Sequence, residues 1–293
     1  MDWTILQFLA PAIVATLVIV GIHTYLGLHV VERGVIFVDL SLAQIASLGA
    51  AIAVWQGYEP QDPAVYWLSL GFTLIGALIF ATIKGHAARI PQEAIIGIAY
   101  AVASAAVILA LSKATGEAEH LRDMLVGNIL SVQWPDVWLT GAIYLVIGAF
   151  HYLYRTRFLE ISMDSGAVAA RGVSVRFWDF LFYASFGFVV TRSVAIAGVL
   201  LVFCYLIVPS VAGMLFASRI GPRLAIGWVM GTVVSMLGMY FSVLFDLPTG
   251  AAIVCTFGIV LAAMAAARPL VRRTDRPDDS QVDVPVRAAK QRT

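Results

Sequence analysis

Apolar runs long enough to cross a lipid bilayer recur along the whole sequence. A hydrocarbon core of about 30 Å needs about 20 residues of helix. The runs lie near residues 5–28, 36–55, 64–83, 94–112, 136–154, 178–218, 224–245 and 249–267. The run at 178–218 is too long for one crossing, and Thr191, Arg192 and Ser193 interrupt it, so we expect two spans joined there by a tight external turn. The sequence therefore predicts an all-α polytopic membrane protein with about nine spans, eight or ten being left open.

The composition excludes a soluble domain and gives no sign of nucleic-acid binding. Hydrophobic residues make up 60% of the chain and charged residues 13%, whereas a charged share of about 25% is usual in soluble domains. A net charge of +1 gives no reason to expect a nucleic-acid partner. Cys204 and Cys255 lie inside apolar runs, so neither a structural disulfide nor a thiolate metal site is expected.

The basic residues divide unequally between the two ends of the predicted spans. When the loops near 33, 84–92, 155–177 and 219–223 and the tail are placed on one side, all but three of the 19 Lys and Arg residues lie there. The positive-inside rule makes that side cytoplasmic and the N-terminus external. We therefore predict a transmembrane domain over 1–267. Residues 268–293 are polar and contain proline, and are predicted to form a disordered cytoplasmic tail.

Motifs of ATP hydrolysis and of common hydrolytic sites are absent from the sequence. No Gly-Lys dipeptide occurs, so the chain has no G-x-x-x-x-G-K-[ST] phosphate-binding loop. H-E-x-x-H and G-x-S-x-G are also missing. The sequence thus favours a transport subunit over an enzyme.

Five segments occur in an order and spacing that resemble one family, the permease subunits of bacterial ATP-binding-cassette importers for zinc, manganese or iron. They are GLHVVERGVIFVDLSLAQIASLG, IPQEAIIGIAY, LRDMLVGNILSV, GVLLVFCYLIVPSVAGMLFA and FDLPTGAAIV. The resemblance implies that family's permease fold, a homodimer around one central pore in the inner (cytoplasmic) membrane, a separate ATPase subunit and a periplasmic metal-binding protein. It implies a divalent metal as the transported substrate, with no cofactor, and does not say which metal or which ligands.

The segment MDSGAVAARGVSVRFWDF resembles the short cytoplasmic helix through which such permeases contact their ATPase. Its small residues allow close approach of another backbone. The resemblance assigns this coupling role to Asp164, Ala167, Ala169 and Gly172. An ordinary interfacial loop is the alternative.

The second predicted span departs from the family pattern. The family carries an Asp and a His four residues apart on this helix, and anchoring on Gly49 puts Leu40 and Gln44 at those positions. Asp39 lies one residue from the expected acid, about 100° around the helix. Buried ionisable groups in membranes are often functional, so we predict that Asp39 and Gln44 line the pathway. Pairing of Asp39 with Arg33 near the interface is the alternative.

Two further residues are candidates for the pathway, each with a simpler alternative. His23 on the first span could replace the missing imidazole, or it is hydrogen-bonded between helices. Glu93 begins the fourth span, where it could also cap the helix and contact Arg89.

Gly227, Gly231 and Ser235 form a stripe of small residues that serves either a subunit contact or packing within one chain. Two other functions remain open from the sequence: a permease for a chelated metal or another small solute, and an ion-coupled secondary transporter.

Overall fold

The computed structural model describes residues 3–59, 62–83, 91–112 and 129–274, and these residues contain helices and no strand. The long helices are α1 (Trp3–Glu32), α2 (Val38–Trp55), α3 (Pro63–Ile83), α4 (Gln92–Leu111), α5 (Trp134–Leu153), α8 (Val175–Ala197), α9 (Val199–Phe216), α10 (Ile220–Phe245) and α11 (Thr249–Thr274). Two short helices, α6 (Arg155–Met163) and α7 (Ser165–Ala170), connect α5 to α8, and a 3-10 turn covers Ile129–Ser131.

Nine helices in the described ranges are long and apolar enough to cross a membrane. This confirms the predicted all-α, multi-pass architecture and the number of spans. The last helix continues to Thr274. Residues 275–293, the rest of the predicted tail, lie outside the described residues, as does most of the LRDMLVGNILSV segment.

The predicted turn at Thr191, Arg192 and Ser193 is wrong. The long apolar run breaks at Gly198, which has φ 76° and ψ 161° and separates α8 from α9. A positive φ favours glycine because it has no Cβ. The polar residues lie inside α8 because neighbouring helices satisfy them: Thr191 bonds Thr73, and Arg192 pairs with Asp136 at 2.7 Å.

The bundle has two groups of helices with a shared interior. In one group α2 packs against α3 and α4, and α3 packs against α8. In the other, α1 packs against α9 and α10, and α11 packs against α9 and α10. The fifth helix contacts α1 and α8, while α2 contacts α8 and α9. Buried residues make up more than half of the apolar stretches of α1, α2, α8 and α9, but only 22% of those of α4, α5 and α11. A helix in the first set is therefore the natural place for a buried polar site.

Ion pairs show which loops share an end of the bundle. Arg223, near the start of α10, bonds Glu32 at the end of α1. Arg33 bonds Asp179 near the start of α8. These contacts place three loops of the predicted cytoplasmic side at the same end, as the charge distribution requires.

The small-residue stripe packs within the chain. A Cβ added to Gly227 would lie 2.5 Å from Thr24 Cγ2 and 2.9 Å from the Pro209 carbonyl oxygen, and one on Gly231 would lie 2.6 Å from Val20 Cγ1. Ser235 is fully buried and donates to the Gly231 carbonyl oxygen. Of the two alternatives, the stripe thus serves close packing of α10 on α1 and α9.

We expect Gly227→Ala to lower the stability of the purified protein by about 1 to 3 kcal/mol, because the new methyl group overlaps Thr24 and the backbone of α9. Thermal unfolding in detergent measures the effect. Gly148→Ala on α5 is the matched control, since its Cβ would meet nothing within 4 Å. An unchanged midpoint for Gly227→Ala would contradict the close contact.

Candidate functional site

The second helix holds a carboxyl group inside the bundle without a partner. Asp39 is fully buried in the first turn of α2, and neither carboxyl oxygen has a hydrogen-bond partner among the described residues. Gln44 is also buried, at 6% exposure. The two residues are about 140° apart around the helix, so they do not share one face. An unsatisfied buried carboxyl is destabilising, which makes Asp39 the strongest candidate for a functional group.

The alternative that Asp39 pairs with Arg33 is wrong. Arg33 Nη1 lies 2.5 Å from Asp179 Oδ1, and both side chains are 1% exposed. Nearness in sequence suggested the Asp39 pairing, but Asp179, 146 residues away, occupies the guanidinium.

His23 is fully buried on α1 and keeps one nitrogen free of protein partners. Its Nδ1 donates to the Ile19 carbonyl oxygen at 2.9 Å within the same helix, which replaces the predicted bond between helices. Because a carbonyl only accepts, Nδ1 carries the proton and the neutral ring presents a lone pair at Nε2. Nε2 has no partner in the described part of the chain.

Tyr144, which the sequence did not single out, lies beside one of the predicted residues. Its ring centroid is 6.3 Å from that of His23. The hydroxyl donates to the Val189 carbonyl oxygen at 3.0 Å and bonds Ser193. Residues of α1, α5 and α8 therefore come together in one polar group. A tyrosine in mid-span was the available signal, since its hydroxyl needs a partner.

Glu93, in the first turn of α4, lies beside the start of α2. Its Oε1 accepts from the Phe37 backbone N–H at 3.1 Å, and Phe37 immediately precedes α2. The carboxylate thus satisfies an N-terminal donor of a neighbouring helix. Arg89, its other suggested partner, lies outside the described residues.

The predicted coupling residues lie in the short helix α7 or next to its ends. Asp164 caps this six-residue helix by accepting from the Ala167 backbone N–H at 2.9 Å. Gly172 follows it with φ 79°. Val168 is buried at 1% exposure and anchors the helix, whereas Ala167 and Ala169 are exposed. The outer face of α7 therefore carries small side chains that are accessible to a partner.

A second polar group, also missed from the sequence, includes Ser162, two residues before the α7 cap Asp164. Ser162, at the end of α6, accepts from Arg33 Nε at 2.9 Å and bonds His29 Nδ1 at 2.8 Å. The Arg33 guanidinium stacks 4.0 Å from the Phe182 ring centre. A basic residue between two apolar spans, Arg33, and an acid near the start of another, Asp179, were the available signals.

The described part of the chain does not bring three His, Cys, Asp or Glu side chains together to hold a metal ion. A single copy thus offers isolated donors such as His23 and Asp39. Such donors suit weak, transient binding more than a resident metal.

Known proteins similar to this chain are membrane components of metal transport systems. A family model described as the ABC 3 transport family matches residues 5–267. The manganese transport system membrane protein MntC of Listeria monocytogenes is 24% identical over 254 residues, which are 87% of this chain and 88% of that protein. The manganese import system permease protein ScaB of Streptococcus gordonii is 22% identical and covers 92% of this chain and 95% of its own length.

A solved structure shows the same fold. The structure of PsaBC from Streptococcus pneumoniae in complex with Fab superposes with a TM-score of 0.76 at 23% identity, and the match covers 92% of this chain and 97% of that one.

We expect Asp39→Asn to raise the free energy of unfolding of the purified protein by about 1 to 3 kcal/mol. The amide cannot ionise, whereas the carboxyl group can become charged where the described residues offer it no compensating bond. Thermal unfolding in detergent is the measurement. Glu59→Gln, at an exposed position after α2, is the control and should leave the midpoint unchanged. A lower midpoint for Asp39→Asn would show that Asp39 has a stabilising partner.

Proposed function

This chain belongs to the ABC 3 transport family, and from that membership we propose that it is the permease of an ATP-driven importer for a divalent metal ion. The observation that carries the proposal is the short exposed helix α7 on a nine-span bundle that has no phosphate-binding loop of its own. A subunit of this kind needs its energy from a partner. The proposed partner is a separate ATPase that receives α7 in a groove.

Small exposed side chains on α7 support that contact. With Ala167 and Ala169 outward and Val168 inward, the helix lets another backbone approach closely. Arg171 bonds Glu160 on α6 at 3.0 Å, which holds the segment beyond α7 to α6. A helix constrained in this way transmits a displacement caused by the ATPase better than a mobile loop would.

Manganese is the metal that we propose first. Two relatives are named as manganese transport proteins. Carboxylate and carbonyl oxygens suit manganese better than zinc, and Asp39 and Gln44 supply those two groups on α2. Zinc and iron are the rival cargoes, to be separated by experiment.

The proposed pathway runs between two copies of the chain in a bacterial inner membrane. Each copy contributes Asp39 and Gln44 on α2 and His23 on α1. All three are buried inside one copy, so α2 must move before their side chains face the pathway. Two copies together would provide the ligands that one copy lacks. A periplasmic binding protein delivers the ion, so affinity and selectivity are needed there, and the pathway needs only to bind weakly.

Transport then proceeds by alternating access. ATP binding to two ATPase subunits moves the α7 helices, and this movement opens the pathway to the outside or to the cytoplasm in turn. Donors that bind the ion weakly let it enter and leave within one cycle.

We expect Asp39→Asn and Gln44→Ala each to reduce manganese uptake by about tenfold. The first replaces a carboxylate by a neutral amide with a single oxygen, and the second removes the carbonyl oxygen of Gln44. His23→Ala should reduce manganese uptake less than either of these substitutions. Uptake of radioactive manganese into cells measures this, with membrane levels of each variant checked. Glu59→Gln is the control. Normal uptake in all three variants would contradict the assigned pathway, and uptake of only a chelated metal would contradict the proposed cargo.

We expect Ala169→Trp to abolish copurification of the ATPase and ATP-driven uptake, because an indole on the outer face of α7 blocks close approach of the partner. Ala251→Trp, equally exposed at the opposite end of the bundle, is the matched control and should retain the ATPase. Retention by Ala169→Trp would place the ATPase contact elsewhere.

A further inference from the structure

Arg33 connects three separate elements at the end of the bundle where α7 lies. Its Nη1 bonds Asp179 Oδ1 on α8 at 2.5 Å, and its Nε donates to Ser162 Oγ on α6 at 2.9 Å. His29 Nδ1, on α1, bonds the same Ser162 hydroxyl at 2.8 Å. We call these four residues the Arg33 junction.

The Arg33 junction connects the segment next to α7 with the segment that leads into α2. Ser162 lies two residues before Asp164, the residue that caps α7. Arg33 begins the connection 33–37, which leads directly into α2. The other end of this connection is also held, because the Phe37 N–H donates to Glu93 on α4. A displacement of α7 that moves Ser162 therefore reaches the start of α2 through one side chain.

The ion pair between Arg33 and Asp179 is buried, and burial restricts movement of the Arg33 side chain. The Arg33 and Asp179 side chains are each 1% exposed, and the guanidinium stacks on Phe182 at 4.0 Å. Water and salt screen such a pair little. The guanidinium is planar and presents its donors in a fixed fork, so the direction of Ser162 relative to Asp179 is fixed as well.

Two other ion pairs near Ser162 are more exposed than the pair of Arg33 with Asp179, and they join different elements. Arg157 and Arg171 pair with Glu160, with side chains 33% to 54% exposed. Both pairs stay within the segment between α5 and α8. They hold the segment together and do not join it to α2.

We infer that Arg33 is a positioning residue that transmits movement of α7 to α2, and thereby couples ATP hydrolysis to opening of the pathway. This inference rests on the proposed function. Breaking the link between Ser162 and Arg33 should leave ATP hydrolysis running while less of it produces transport.

The test uses the full complex of permease, copurified ATPase and binding protein, reconstituted in vesicles. Manganese transported and ATP hydrolysed are measured in the same sample. We expect Ser162→Ala to reduce the ions moved per ATP by about fivefold or more, a usual size for coupling between sites. Arg33→Gln should reduce the ratio further. Arg157→Gln is the matched control, since it removes an arginine near Ser162 whose ion pair with Glu160 lies within α6.

The ratio separates a positioning role from a structural one, because a merely unstable protein loses transport and hydrolysis together. If Arg33→Gln fails to assemble, Ser162→Ala decides alone, since it leaves the ion pair with Asp179 in place. An unchanged ratio for Ser162→Ala, or an equal fall for Arg157→Gln, would overturn the inference. Failure of the parent complex to form or to transport would instead overturn the proposed function.

Discussion

A polar group inside a bilayer must find a partner in the protein, and this constraint determines most of the structure. Backbone groups meet it by forming helices, which is why the described chain is helical throughout its spans. Charged side chains satisfy it through ion pairs and hydrogen bonds. Arg33 pairs with Asp179, and Arg192 pairs with Asp136 and donates to Thr140. Each pair joins helices that are far apart in sequence. The same contacts that satisfy the charges therefore also fix the arrangement of the bundle.

Sequence reasoning succeeded where the signal was local. Length and hydropathy of each apolar run are sufficient to predict a span, and the nine helices follow from them. The charge distribution correctly grouped the loops that share an end, as the Arg223 to Glu32 contact shows. The division of the long run failed because Thr191, Arg192 and Ser193 were interpreted as solvated turn residues. Their partners, Thr73, Asp136 and Tyr144, lie on other helices and cannot be read from the run itself.

The candidate site divides in the same way. Asp39, Gln44 and His23 stand out because polar residues are rare in apolar runs. Tyr144, Ser162 and Asp179 were missed, since a tyrosine, a serine and an acid near a helix start have many ordinary uses. Only the tertiary contacts give them their roles. The same limit explains the wrong pairing of Arg33 with Asp39: a gap of six residues seemed sufficient, but the direction in which each side chain leaves its helix decides the partner.

Two aspartates are buried in the described part of the chain, and they differ in whether the carboxyl group has a partner. Asp179 is bonded to Arg33, and such a buried pair contributes little net stability while it fixes a unique geometry. Asp39 has no hydrogen-bond partner among the described residues, so its burial lowers stability without fixing a contact between helices. Groups held in an unfavourable state persist where function requires them. An ion that arrives with positive charge would supply the missing partner and would leave it as the protein changes state. Under the proposed function, the paired acid would belong to the part that moves as a unit, and the unpaired acid to the part that meets the cargo.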